Sequence, residues 1–65
     1  MWVVVYLANN EENAYALRDL FEANDVLVRI RTVESGEEGS ENYFEVTVPE
    51  NEVERAHGLI IQNGY

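Results

Sequence analysis

The sequence predicts a small α+β fold in a single domain over residues 1–65, with its elements in the order strand, helix, strand, strand, helix. Three observations carry that reading. Trp2 to Leu7 is an unbroken apolar run with no polar side for solvent, which suits a strand covered on both faces. Two later stretches place apolar residues at helical spacing, and two more alternate with the two-residue period of a strand.

Size and composition set the frame. A chain of 65 residues supports one core and buries only about 60% of the surface exposed by its unfolded form, so nearly every apolar side chain is needed. Leu, Ile, Val and Phe number 19 of 65, above the level of chains that stay disordered. Thirteen acids against four arginines give a net charge of −9, which repels phosphate backbones and anionic membranes and argues against nucleic acid or a membrane as partner. Cysteine is absent, which excludes disulfides, thiolate metal sites and a cysteine nucleophile. Lysine is absent too, removing Schiff-base chemistry and a P-loop lysine. The apolar start is too short for a membrane span and lacks the basic region of a signal peptide, so a cytoplasmic location is expected.

The first strand, Met1 to about Ala8, places Val3, Val5 and Leu7 on one side and Trp2, Val4 and Tyr6 on the other. Both sides are apolar, so the pattern leaves open which one meets the helices. Asn9 with Glu12 has the spacing of a capping box, and a helix is expected from near Asn10. Its inner line is Ala14, Leu17, Leu20, Phe21 and Asn24, with Arg18 and Glu22 four apart and able to pair. Asn24 and Asp25 tolerate the left-handed conformation that ends helices. In Val26 to Val33, Val26, Val28 and Ile30 face one way and Leu27, Arg29 and Arg31 the other. Glu34 to Asn42, rich in glycine, serine and glutamate, reads as a flexible hairpin loop. Tyr43 to Val48 puts Phe44, Val46 and Val48 inward and Tyr43, Glu45 and Thr47 outward, and Pro49 ends the strand. A last helix, about Glu50 to Gln62, turns Val53, Ala56 and Ile60 inward with His57 at the margin, and Asn63-Gly64 terminates it.

Two strands joined through a helix favour a parallel crossover, and the strand after a hairpin fits between them. The expected architecture is therefore a split βαβ unit, βαββα: a three-stranded antiparallel or mixed sheet in the order 1-3-2 with two helices on one face. This is the ferredoxin-like plan without its last strand.

With the elements placed, the chain resembles a family of short bacterial proteins described as prokaryotic signal-transducing proteins, grouped by fold with the nitrogen-regulatory P-II proteins. The carrying residues are Val4-Val5-Tyr6, Ala14 to Leu20, Val28-Arg29-Ile30-Arg31, Val48-Pro49-Glu50, Val53-Glu54 and Ala56-His57. The resemblance implies the same fold and a signalling role, and it brings no catalytic motif. Two departures stand out: Asp25 occupies a place where relatives tend to have glycine, and the sequence ends at Tyr65 without the metal-binding extension of some relatives.

Candidate chemistry is sparse. His57 is the natural general base or pH sensor, but it has no nucleophile at fixed spacing and reads more simply as a surface residue. Ser35 and Ser40 lie in the polar loop. Glu34, Glu37, Glu38 and Glu41 lack the spacing of a calcium loop and read as a solvated turn. Arg29 and Arg31 share a strand face and can clamp an anion, against the simpler reading of a cross-strand pair with Glu45.

The strongest feature is the sheet face away from the helices. Trp2, Val4, Tyr6, Leu27, Arg29, Arg31 and Tyr43 are expected there, and aromatics with arginine are enriched at interfaces. The first strand is also a free sheet edge. The expectation is a non-enzymatic regulatory or adaptor module without cofactor or metal. It would form a homodimer or larger homo-oligomer through the outer face or that edge, with a small anionic ligand possible at the junction. The alternatives are a monomeric module docking on another protein and a small enzyme using His57.

Overall fold

A computed structural model describes residues 1–34 and 42–65. The fold is α+β with the expected order: β1 (Trp2–Ala8), α1 (Glu11–Ala23), β2 (Arg29–Val33), β3 (Tyr43–Pro49), a 3-10 turn (Glu50–Glu52) and α2 (Val53–Gln62). β3 lies between its neighbours and pairs antiparallel with both, giving the sheet order β1-β3-β2. The expected architecture is thus present, and the sheet is antiparallel throughout its paired strands.

Both helices lie on one face. Phe44, Val46 and Val48 alternate along β3 and share a cluster with Ala14, Leu17 and Phe21 of α1 and Ala56 and Ile60 of α2. Ala8 and Val26 complete it, while Val53, Leu59, Leu20 and Ile30 pack around it. The spacings 14, 17, 21 and 56, 60 are those of one helical stripe, which is why α1 and α2 each present a single side to the sheet. Ile61 falls off that stripe and is exposed.

Local chemistry sets the element ends. Asn10, one residue later than the expected Asn9, caps α1: its Oδ1 accepts from the Asn13 amide at 2.8 Å. An extended residue at 10 points its short side chain back at the third helical amide, so Glu12 falls out of capping-box register. α1 ends in a Schellman turn, with the Val26 amide on the Phe21 carbonyl at 2.9 Å and the Asp25 amide on that of Glu22 at 3.1 Å. Asp25 holds a φ of 61° there, so the turn is tight without glycine. α2 ends the same way, with Gly64 at φ 79° and the Tyr65 amide on the Ile60 carbonyl at 3.0 Å. Arg18 pairs with Asp19 at 3.3 Å and stacks on Tyr15, rather than reaching Glu22.

The main departure from expectation is a β-bulge in β1. Val3 pairs with Val48 and Val4 with Thr47, but the next partner of Val46 is Tyr6, so Val5 is the extra residue. An extra residue reverses side-chain parity beyond it. Val3 and Val5 therefore lean toward the helices, and then Tyr6 and Ala8 do so as well, while Leu7 turns outward opposite Glu45. The Tyr6 ring packs on the core and meets the Tyr65 ring edge-on, with centroids 6.0 Å apart. Tyr6 was expected on the outer face and Leu7 on the inner; the bulge exchanges them.

Candidate interaction face

The register fixes what the outer face carries. Across the sheet from β1 to β2 run Val4, Thr47 and Arg29 in one row, and Leu7, Glu45 and Arg31 in the next. Trp2 and Pro49 close one end, and Tyr43 and Val33 close the other. Among the described residues no helix covers this side, and the molecule measures only 15 Å along its thinnest axis, enough for a sheet and one helical layer. Trp2, Val4, Leu7, Leu27 and Tyr43 are all exposed, Leu7 at 57% and Leu27 at 68%.

Of the expected face residues, Trp2, Val4, Arg29, Arg31 and Tyr43 share the outer side of the three strands. Leu27 is exposed just ahead of β2. Tyr6 does not belong, and Leu7 takes its place. No sequence signal distinguishes Leu7 from Tyr6, because an apolar run reads alike in either parity.

Trp2 and Arg29 reach toward each other over β3. The Arg29 Cζ lies 4.8 Å from the centre of the Trp2 ring, a cation–π contact worth about 0.5–1 kcal/mol at an exposed site. Beneath that pair Thr47 is buried although it faces outward, and its hydroxyl donates to the Arg29 carbonyl at 3.0 Å. The bond ties β3 to β2 at the row where Arg29 stands. Arg31 Nε lies 3.5 Å from Glu45 Oε1, the cross-strand pair expected from the alternation. With Arg31 largely exposed, it contributes under about 1 kcal/mol. Together Trp2, Val4, Arg29, Arg31, Glu45 and Thr47 line a hollow of about 450 Å3. A second hollow, of about 350 Å3, lies by Leu7, Asn9, Asn42 and Tyr43.

Comparison with protein-family models, with curated proteins and with solved structures finds no match.

Elsewhere the chemistry is thin. His57 is exposed on α2, on the opposite side of the molecule from the hollow. Among the described residues no group of three His, Asp or Glu side chains could hold a metal ion. The polar loop residues Ser35, Glu37, Glu38, Ser40 and Glu41, expected to form a solvated turn, lie outside the described residues, and Glu34 at their border is exposed. Among those residues no helix is long and apolar enough to cross a membrane.

Proposed function

We propose that the chain is a non-enzymatic regulatory or adaptor module that pairs with a second copy of itself through the outer sheet face. The observation that carries this is the uncovered row Trp2, Val4 and Leu7 along β1 with Tyr43 beside it, an apolar surface on a molecule too small to leave apolar area unused. The face is favoured over the β1 edge, because the bulge at Val5 interrupts the ladder a second strand would have to follow. A regulatory role also accords with the resemblance to bacterial signal-transducing proteins.

Sedimentation equilibrium over a wide protein concentration range tests it. The native chain is expected to shift toward twice its 7.5 kDa mass as concentration rises. Trp2→Glu and Leu7→Glu, each setting a carboxylate in the contact, should weaken that association by about ten-fold or more while circular dichroism stays native. A native chain that remains monomeric throughout would overturn the proposal. The face would then be assigned to docking on a different protein, a reading favoured by the solvent-facing Trp2–Arg29 pair, since tryptophan and arginine dominate hot spots at such contacts.

A further inference from the structure

Arg29 is an unusual residue to find on a surface meant to be covered. The outer face of each copy carries Arg29, Arg31 and Glu45, and Glu45 is engaged by Arg31 at 3.5 Å. Among the described residues no carboxylate pairs with Arg29, whose guanidinium rests on the Trp2 ring instead. Closing two outer faces on each other would take two such guanidiniums out of water, and an unpaired buried charge strongly opposes association. An anion paired with each guanidinium would relieve that cost.

The hollow beside Arg29 offers the place. Its volume of about 450 Å3 falls in the range that holds small organic ligands. Its walls divide by chemistry: Trp2 and Val4 are apolar, whereas Arg29 and Arg31 present hydrogen-bond donors beside the Glu45 carboxylate. The bond from Thr47 to the Arg29 carbonyl fixes the backbone from which that guanidinium projects.

We propose that this hollow binds a small organic acid, a single carboxylate on an apolar body, and that one such acid in each copy strengthens the closing of the two outer faces on each other. The carboxylate lies against Arg29 and the free donors of Arg31, and the body lies on Trp2 and Val4. A guanidinium fork matches the two oxygens of a carboxylate in one plane. A single charge also meets less repulsion than a phosphate dianion from Glu45 and from a chain of net charge −9. This inference rests on the self-association reading of the same face.

The test titrates the intact chain with sodium hexanoate at constant ionic strength. Trp2, the one tryptophan of the sequence, reports binding by its fluorescence, and sedimentation equilibrium reports mass. A saturable fluorescence change is expected, with mass rising over the same hexanoate range. Arg29→Gln should weaken binding by about ten-fold or more. Arg18→Gln, the same change of net charge on α1, should leave it within about two-fold, because a remote exposed charge is largely screened. Arg29→Lys keeps the charge and loses the fork, so it should also weaken binding and serves where Arg29→Gln does not fold. Hexanol, which has the body without the charge, and inorganic phosphate, which has the charge without the body, should each bind far more weakly.

Equal weakening by Arg18→Gln and Arg29→Gln, equal binding of hexanol, or a response that never saturates would overturn the site. Assembly that proceeds without hexanoate and ignores it would overturn the inference and leave the self-association reading standing. Saturable binding by a chain that stays monomeric at every concentration would overturn both that reading and the coupling to it.

Discussion

Asp25 stands where the chain needs a left-handed residue, at φ 61°, a conformation that costs a side chain with a Cβ about 1 kcal/mol and costs glycine almost nothing. The turn survives because the two Schellman bonds and the buried Val26 beyond it hold the residue in place. Asp25→Gly is therefore expected to stabilise the fold by about 0.5 kcal/mol after the added freedom of the unfolded chain is counted. In a domain of this size that is a rise of about 2–4 °C in Tm, measurable by thermal unfolding. That this position would end the helix was legible in Asn24-Asp25; that the turn would be as tight as one built on glycine was not, because tightness depends on Val26 reaching the core. The cap tells a similar story at finer scale. Asn9 and Asn10 are both suitable capping residues, and only the path of the chain out of β1 selects Asn10.

At the scale of elements, the helices and β3 could be read directly, because each has one apolar side and one polar side and the period of the apolar residues names the element. β1 could not be read to the same depth. In Trp-Val-Val-Val-Tyr-Leu every position is apolar, so a one-residue insertion leaves no trace in the pattern although it reverses the side on which each later residue lies. The candidate face inherits that ambiguity: Trp2 and Val4, ahead of the bulge, lie on the outer side, whereas beyond it Tyr6 turns inward and Leu7 outward. The contrast can be measured in urea. Tyr6→Ala removes a ring packed on the core and its contact with Tyr65, and should cost about 2–3 kcal/mol. Leu7→Thr, at an exposed site on a strand, should change stability by less than about 0.5 kcal/mol. If parity ran unbroken through β1, the two costs would be reversed.

For the molecule as a whole, charge is sorted by layer. α1, α2 and the turns beside them carry Glu11, Glu12, Asp19, Glu22, Asp25, Glu50, Glu52 and Glu54 against Arg18 and Arg55, whereas the strands' outer face has Arg29 and Arg31 against Glu45. Of the two described layers, the outer face carries the charges that repel a second copy less. The net charge of −9 on each chain still opposes their approach at long range. Raising sodium chloride from about 0.05 to 0.5 M shortens the screening length to a few ångströms and should strengthen self-association, the opposite of a contact held by ion pairs. Sedimentation across that salt series, without added organic acid, checks it, and weakening with salt would count against an apolar contact.

The central position of β3 also bears on how the protein is made. Among the described residues β1 and β2 pair only with β3 and not with each other. During synthesis, β1, α1 and β2 leave the ribosome before either strand has a partner, and no rung of the sheet can form until Tyr43 to Pro49 follows them. At roughly 5–20 residues per second, the apolar run at the start of the chain spends a few seconds without its place in the ladder. Of the three strands of this sheet, β1 emerges first and has the longest wait.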